Sequence, residues 1–386
     1  MTVAQAASAN VELTEFFRHL ERCSDKNDLS HGMHPYPAKF IPHIPRALIS
    51  AYAPETGTVW DPMCGSGTAL IEASITGRRA IGTDINPIST LASRAKTVQL
   101  SGKSRSMLRE VMGTLAMRAS DVRNGQPVPE APIPDFHNRD HWFSNAVCLE
   151  LADARRIIRK VQDEDARTVG LCSFSATIVA VSNQESETRW RALPTSVAPG
   201  SVYTRLESRL RDALAGLEAY AAKRPATVDV FLADARAAPL ESESVDFVVT
   251  SPPYANSHDY YLYNKLRLFW LDHAVHSVQA AEIGSRNRHS DRKEGVETYL
   301  DAMGAVLSET RRVLRPKGLA AFVVADAVIR GVLHDMGELL TERAAVAGLS
   351  SVDHFSFAHT RFNASFQRGF GTSRQKLTHV LVLRRD

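Results

Sequence analysis

The chain has 386 residues, 44% of them hydrophobic and 23% charged, and a formal net charge of +3 with a sequence pI near 8.6. This composition is ordinary for a globular protein, and the length suffices for one large domain with an insertion or for two domains. No run approaches the roughly 18 consecutive apolar residues that a membrane span requires, which excludes a membrane-spanning protein. The small positive charge permits nucleic-acid binding without requiring it.

The four cysteines (Cys23, Cys64, Cys148 and Cys172) have neither the spacing of metal ligands nor that of a disulfide framework. We therefore predict no metal site. The first ten residues are Ala-rich and lack the basic region of a signal peptide, so we expect a cytoplasmic, reducing location.

The N-terminal part begins with a short helix predicted near Glu12–Cys23, followed by a proline-rich segment, His34–Pro42. Three prolines within eight residues exclude both a helix interior and a central strand, so this segment is predicted to be a stiff, extended loop. A plain linker is the alternative interpretation, but linkers rarely carry Tyr, Lys and Phe between prolines.

A strand, a glycine turn and a helix are predicted next. The strand ends in Asp61, and Gly65 and Gly67 let the backbone approach a ligand closely before a helix runs from about Ser66 to Thr76. The following strand ends in Asp84, 19 residues after Gly65, the spacing at which an acid meets a ribose diol. These residues indicate an adenosine-containing ligand without separating NAD from S-adenosylmethionine.

The α/β pattern is then interrupted by residues 99–226, which are predicted to be a mainly helical insertion containing a proline-rich connector, Asn124–Pro134. Apolar residues recur at helical spacing in Ser144–Gln162 and Val202–Ala222. The polar segment Ser182–Arg191 carries Asn, Gln and Arg, which read base edges, although a solvated loop is the more ordinary interpretation.

The α/β pattern resumes with a strand at Val228–Leu232 and a buried strand at Val245–Val249, which leads into Ser251-Pro252-Pro253-Tyr254. Two consecutive prolines donate no N–H and fix φ, so the chain turns rigidly with its carbonyls outward. The carbonyls and the serine hydroxyl can accept from an amino group on a flat substrate, and the tyrosine can stack on its ring. The remaining predicted elements are helices near Tyr260–His273, Thr298–Leu314 and Leu333–Ala347, and strands at Leu319–Ala325, Val352–Phe357 and Leu377–Leu383.

Four motifs together resemble the S-adenosylmethionine-dependent amino-DNA methyltransferase family, whose members act on cytosine N4 or adenine N6. They are Pro-Ala-Lys-Phe at 37–40, Asp-Pro-Met-Cys-Gly-Ser-Gly-Thr at 61–68, Gly-Thr-Asp-Ile-Asn-Pro at 82–87 and Ser-Pro-Pro-Tyr at 251–254. Met63 stands where the family pattern has Phe. The resemblance implies an α/β fold, a Rossmann-like class I methyltransferase with a mixed, mostly parallel seven-stranded sheet that carries the helical insertion.

The resemblance also implies the domains, the ligands and the reaction. Residues 1–98 would form the N-terminal loop and cofactor half, and 227–386 the catalytic half. Residues 99–226 would be either a target-recognition region or a structural helical cap, since the family usually places its recognition material later in the chain. S-adenosylmethionine would be the cofactor and double-stranded DNA the substrate, with a cognate restriction endonuclease as a candidate partner; the oligomeric state stays open. Ser-Pro-Pro-Tyr is most often associated with cytosine N4 in this family, whereas Asn- or Asp-Pro-Pro-Tyr usually accompanies adenine N6.

The candidate site residues follow from the motifs. Lys39 and Phe40 are expected at the methionine end of the cofactor, Asp84 at the ribose, and Asp234 with Ala235 at the adenine. Aromatic residues beside the catalytic turn and a basic cluster after it are candidate DNA contacts. The complete set is Ser251, Pro252, Pro253 and Tyr254 for catalysis; Lys39, Phe40, Asp61, Pro62, Cys64, Gly65, Gly67, Thr68, Asp84, Ile85, Asp234 and Ala235 for the cofactor; and Arg189, Arg191, Tyr260, Arg286, Arg288 and His289 for DNA.

Other activities remain as alternatives. Methylation of adenine N6 in DNA is the nearest, followed by methylation of an RNA base or a protein amide. A dinucleotide-dependent oxidoreductase would use the glycine turn and Asp84 but leave the Pro-Pro turn without a role. Methylation at cytosine C5 is rejected, because it requires a nucleophilic cysteine, usually after proline, and no cysteine here follows a proline.

Overall fold

The structure is a computed structural model that describes residues 13, 15–17, 27–286, 294–358 and 376–386. The helix expected near Glu12–Cys23 lies mostly outside the described residues, and Arg288 and His289 lie outside them entirely. Of the helices that the structure describes, none is both long enough and apolar enough to cross a membrane.

The described chain alternates strands and helices at both ends and is mainly helical in its middle part. The strands are β1 (Thr58–Asp61), β2 (Arg79–Asp84), β3 (Gln184–Ser186), β4 (Arg189–Ala192), β5 (Val228–Leu232), β6 (Val245–Thr250), β7 (Leu314–Ala325), β8 (Ala327–Ile329), β9 (Val332–His334), β10 (Leu349–Ala358) and β11 (Leu377–Arg385). The helices are α1 (His43–Tyr52), α2 (Thr68–Ile75), α3 (Pro87–Thr97), α4 (Gly102–Arg123), α5 (Arg139–Trp142), α6 (Asn145–Arg159), α7 (Glu164–Ile178), α8 (Ser201–Ala221), α9 (Tyr260–Tyr263), α10 (Lys265–Trp270), α11 (Val275–Ala281), α12 (Val296–Val313) and α13 (Met336–Val346).

Seven of the described strands form one sheet in the order β10-β11-β7-β6-β1-β2-β5. The pairs from β7 across to β5 are all parallel, and β11 runs antiparallel to both β7 and β10. Valines and phenylalanine of β6 are fully buried, as expected for a strand covered on both faces. The predicted class I methyltransferase fold, with its mixed, mostly parallel seven-stranded sheet, is therefore confirmed.

The insertion lies between α3 and β5 and consists of α4 to α8 together with the β3–β4 hairpin. Its apolar side chains, such as Leu151, Phe174 and Leu206, belong to one buried cluster that also contains Trp270 from α10. The two stripes predicted from periodicity are the helices α6 and α8. Because this core is shared, the insertion packs directly against the segment that follows the Ser-Pro-Pro-Tyr turn.

Two local predictions were wrong. The segment around residues 184–192 is a β-hairpin rather than a loop, since Trp190 is held 4.2 Å from Trp142, measured between ring centroids. The helix predicted over Tyr260–His273 is broken at Asn264, whose Nδ2 donates to the carbonyl of Tyr260 at 3.1 Å. The hairpin goes with a contact between segments far apart in sequence, whereas the break goes with a side-chain bond to a carbonyl four residues earlier, and apolar periodicity indicates neither.

Candidate active site

The carboxyl ends of β1, β2, β5 and β6 open into one cavity of about 890 Å³, a volume that includes space open to solvent. This is where parallel sheets bind ligands, because loops diverge there from neighbouring strand ends. The cavity brings together the majority of the residues singled out from the sequence. Those lining it are Lys39, Phe40, Asp61, Pro62, Cys64, Gly65, Thr68, Asp84, Ile85, Asp234, Ala235, Ser251, Pro253 and Tyr260.

The glycine turn has a backbone that only glycine adopts easily. Gly65 and Gly67 have φ of +49° and +80°, in the left-handed region. A Cβ on Gly67 would lie 3.0 Å from the Cα of Ser93, so α3 packs directly against the turn. The N–H of Cys64 donates to the carbonyl of Thr83 at 2.9 Å, which ties the turn to β2. Burial raises the pKa of the Cys64 thiol, so this side chain is a neutral packing group.

Two carboxyl groups lie at the ends of β1 and β2. The two carboxylate oxygens of Asp84 accept from the N–H groups of Gly65 (2.9 Å) and Asn86 (2.8 Å), and burial raises the pKa of Asp84 to about 6. Asp61 is only 3% exposed, and burial raises its pKa to about 7. Neither carboxyl forms an ion pair with a cation in the described part of the chain. Both are therefore available to a ligand that brings donors or positive charge.

Asp234, at the end of β5, has a partner that the sequence did not suggest. Its Oδ1 accepts from Nε of Arg236 at 2.9 Å and its Oδ2 from Nη2 at 2.6 Å. Burial works to raise the pKa of Asp234, but the bonds from Arg236 hold it below its usual value. The carboxylate is thus ionised and oriented, and each oxygen keeps lone pairs for a further donor.

The Ser-Pro-Pro-Tyr turn follows β6. Ser251 and Pro253 line the cavity, whereas Pro252 is buried beneath them. The Ser251 hydroxyl donates to the Tyr254 hydroxyl at 3.3 Å. Burial raises the pKa of Tyr254, which keeps its phenol neutral. The serine oxygen therefore retains lone pairs that can accept from a substrate amine at the cavity wall.

Comparison with known proteins agrees with this arrangement. A family model described as DNA methylase, of the N6/N4 type, matches residues 5–92, a range that contains the proline-rich loop and the glycine turn. The type II methyltransferase M.MvaI of Kocuria varians is 24% identical over 363 residues, covering 80% of this chain and 79% of the relative. The type II methyltransferase M.BsoBI of Geobacillus stearothermophilus is 22% identical over 327 residues, covering 76% of this chain and 64% of the relative.

The chain therefore resembles the amino-DNA methyltransferases, in the segment that the family model matches and, at lower identity, over most of its length. The comparisons support an S-adenosylmethionine-dependent DNA methyltransferase, and they do not separate the N4 from the N6 type. Among solved structures, a SAM-dependent methyltransferase from Methanosarcina mazei aligns at 9% identity over 91% of this chain and 98% of its own length, with a TM-score of 0.35.

The cavity has an aromatic wall that sequence reasoning only partly anticipated. The rings of Tyr36 and Tyr260 are stacked with their centroids 6.0 Å apart and an interplanar angle of 23°. Tyr36 is held by a 2.8 Å hydrogen bond between its hydroxyl and the Ser89 hydroxyl. Tyr36 was visible in the proline-rich loop as an unusual aromatic residue, but its position beside Tyr260 depends on the fold.

Glu282 is the site residue for which the sequence contained no motif. It lines the cavity, is 4% exposed, and accepts from the backbone N–H groups of Tyr260 (2.6 Å) and Tyr261 (3.2 Å). Burial raises its pKa to about 8. Because these N–H groups begin α9, Glu282 fixes the helix end that presents the Tyr260 ring to the cavity.

The loop that carries Lys39 and Phe40 is held in place by hydrogen bonds. Lys39 lines the cavity, and its ammonium donates to Asn27 Oδ1 at 2.8 Å and to the His31 carbonyl at 3.2 Å. Nε2 of His31 lies 2.8 Å from the fully buried Glu72 carboxylate. The segment is a loop, as predicted, but it is not extended throughout, because the chain turns at Pro37–Ala38, where Ala38 has a φ of +49°. Its buried anchors set where Phe40 meets the cavity.

The candidate DNA contacts are divided between two places. Arg286 is exposed shortly after Glu282, next to the segment that contains Arg288 and His289. Arg189 and Arg191 are exposed on β4, and this strand contacts α9. The fold therefore brings the hairpin of the insertion beside the cavity, although the two segments are far apart in sequence.

Proposed function

We propose that this enzyme transfers a methyl group to the exocyclic N4 amine of a cytosine that has been flipped out of DNA. The observation that carries the proposal is Ser251, the first residue of the Ser-Pro-Pro-Tyr turn, on the cavity wall. In the amino-DNA methyltransferases a serine at this position most often accompanies cytosine N4. The base must leave the helix, because its amine is otherwise paired and enclosed.

The turn has the acceptors that this reaction requires. The lone pair of the cytosine amine is delocalised into the ring, which makes the nitrogen a poor nucleophile. Hydrogen bonds from its two protons to Ser251 Oγ and to the Pro252 carbonyl would favour pyramidal geometry and localise the lone pair. Since the Ser251 proton is directed to Tyr254, the serine oxygen is an acceptor towards the amine. Rigid positioning and electrostatics would supply most of the rate enhancement.

The residues of the cavity fit S-adenosylmethionine, which supplies, when bound, an electrophilic methyl group on a sulfonium centre. Gly65 lines the cavity, where a Cβ would lie 3.4 Å from the Tyr36 ring, Gly67 packs behind it against Ser93, and the neighbouring carboxylates offer acceptors. We assign Asp84 to the ribose hydroxyls, Asp234 to the adenine amine and Phe40 to the methionine end. The remaining cofactor contacts would come from Lys39, Asp61, Pro62, Cys64, Thr68, Ile85 and Ala235.

Because two relatives are type II methyltransferases, we propose that the enzyme modifies a specific DNA sequence and has a cognate restriction endonuclease. In this assignment residues 1–98 and 227–386 form the methyltransferase domain, and the insertion, 99–226, contributes to target recognition. Arg286, Arg288 and His289 would contact phosphates.

The test is to identify the methylated nucleoside. The purified enzyme is incubated with labelled S-adenosylmethionine and DNA amplified without methylation, and the digested nucleosides are separated chromatographically before mass analysis, since N4- and C5-methylcytosine have equal mass. N4-methylcytosine is expected, and Ser251→Ala should produce little of it. N6-methyladenine would overturn the base assignment. If DNA stays unlabelled while RNA or protein supplied in parallel reactions is labelled, the assignment of DNA as the substrate is overturned.

A further inference from the structure

The β3–β4 hairpin has two faces with different chemistry. Along β4 the side chains alternate, so that Trp190 and Ala192 pack against the helical core while Arg189 and Arg191 are exposed. Arg189 is oriented by Glu185, whose Oε1 accepts from its Nη1 at 2.7 Å. In the described part of the chain, Arg191 forms no hydrogen bond or ion pair. The hairpin therefore presents two guanidinium groups to solvent on one face.

The base of the hairpin is held rigidly. The backbone N–H of Asn183 donates to the carbonyl of Trp142 at 2.8 Å, and its side-chain amide donates to the carbonyl of His141 at 3.0 Å. On the inner face, Nζ of Lys265 lies 5.4 Å from the centroid of the Trp190 ring. These contacts connect the hairpin to α5 and α10, so its outward face has a defined direction.

The tip of the hairpin is tied to the catalytic half by Arg267, whose side chain is fully buried. Its Nη2 donates to Oε2 of Glu187 at the tip (2.6 Å), and its Nη1 donates to the carbonyl of Tyr263 (3.2 Å). A third bond runs from Nε to the carbonyl of Ser175 in α7, at 3.1 Å. One planar guanidinium thus joins the insertion, the hairpin tip and the end of α9, whose first residue, Tyr260, lines the cavity.

We propose that the β3–β4 hairpin is the groove-reading element of this enzyme and that Arg267 is the positioning residue that sets its place relative to the catalytic turn. A two-stranded β-ribbon fits the major groove, and arginine can read guanine there through two hydrogen bonds. The hairpin lies beside the cavity that would receive the displaced base, so it meets the duplex next to that base. The inference rests on the proposed reaction on a flipped base and names the element that selects its sequence context.

The three donor nitrogens of a guanidinium group explain why residue 267 is an arginine. Three acceptors surround the guanidinium group, and each accepts from a different one of its nitrogens. A lysine has a single point of charge and cannot hold all three in fixed directions. The pair with Glu187 orients the hairpin tip, whereas the two carbonyl bonds hold α7 and α9 together.

The first experiment removes the positive charge of Arg191 from the exposed face of the hairpin. Arg191→Ala is compared with Arg123→Ala, an exposed arginine at the end of α4 whose side chain contacts Thr204 in the same insertion. Both variants and the wild type methylate unmodified genomic DNA, and the methylated positions are mapped by sequencing. Arg191→Ala should relax the preference at one or more positions of the site by about fivefold or more, with unchanged S-adenosylmethionine affinity, and Arg123→Ala should resemble the wild type.

The second experiment tests the positioning role. Glu187→Gln keeps the shape of the hairpin tip and removes its charge, and it should raise KM for DNA while leaving cofactor affinity and kcat near wild type. Arg267→Lys should have a larger effect of the same kind, and thermal unfolding is measured to identify a variant that fails to fold. A lowered melting temperature for Glu187→Gln with wild-type KM and site preference would mean that the pair is structural only.

The outcomes separate this inference from the proposed function. If the wild type methylates DNA and Arg191→Ala keeps the same site preference, the groove-reading role is overturned while the methyltransferase activity stands. If the wild type produces N6-methyladenine, the base assignment fails, and the same maps still decide whether the hairpin reads the site.

Discussion

Asp61 offers the sharpest test of how the cavity is built. The carboxyl is 3% exposed at the end of β1, and its Oδ1 accepts from the N–H of Met63 at 3.2 Å. Burial raises its pKa to about 7, with the neighbouring Asp84 acting in the same direction. Asparagine at this position keeps an oxygen for Met63 and carries no charge. We therefore expect Asp61→Asn to stabilise the free protein while weakening the binding of S-adenosylmethionine.

The magnitude follows from linkage. Between the ordinary pKa of 3.8 and about 7, the folded protein binds a proton at Asp61 that the unfolded chain does not, so the free energy of unfolding falls as pH rises. A pKa raised over that range means that the ionised carboxylate destabilises the folded protein by at most about 4 kcal/mol. At pH 8 the free energy of unfolding of Asp61→Asn should exceed that of the wild type by about 2 to 4 kcal/mol. The difference between the two proteins should approach zero near pH 4.

The assay is urea denaturation of both proteins at several pH values between 4 and 8, together with calorimetric titration of S-adenosylmethionine. Asp140→Asn is the matched control, since this aspartate side chain is 87% exposed and the same substitution should change stability by less than about 0.5 kcal/mol at each pH.

A stability difference that is absent at pH 8, or that does not vary with pH, would refute the burial argument. Unchanged cofactor affinity would instead remove Asp61 from the cofactor site and leave the stability argument intact.

Three further substitutions test the turns and the surface. Ser251→Ala should lower kcat about 100-fold with unchanged cofactor affinity, because it removes an acceptor used in the reaction; full activity would exclude Ser251 from it. Gly67→Ala should destabilise the protein more than Gly77→Ala, because both have φ near +80° but only the first Cβ would meet Ser93; equal melting temperatures would contradict this. Arg286→Ala should weaken DNA binding and lower the slope of log K against log salt by about 1; an unaltered slope would exclude a phosphate contact.

The strands that support the site were predictable because their signal is local. Val228–Leu232 was predicted with the bounds that β5 has, and the strand predicted at Val245–Val249 differs from β6 by one residue. Buried strands of a parallel sheet appear as short apolar runs, and the acids and glycines follow at strand ends. Since the carboxyl ends of parallel strands meet at one edge of a sheet, the same pattern places Asp61, Asp84 and Asp234 close together there.

Other parts of the site could not be predicted, because their determinants are contacts between distant segments. Glu282 follows no motif, and its position depends on α9 donating two backbone N–H groups to it. The polar composition of residues 184–192 indicated a loop, but the packing of Trp190 on Trp142 makes a hairpin there. The ion pair between Arg236 and Asp234 could not be predicted either, since the charge of Arg236 does not indicate the direction of its side chain.

The sequence by itself determined the chemistry that backbone geometry imposes within a few residues: the left-handed glycines, the rigid Pro-Pro turn and the acids at strand ends. Tertiary structure decided which of these groups share a cavity, how far burial raises the pKa values of Asp61 and Glu282, and where the insertion packs against the segment after the Ser-Pro-Pro-Tyr turn. The physical reason is that φ restrictions act locally, whereas desolvation and packing are sums over neighbours that only the folded chain supplies.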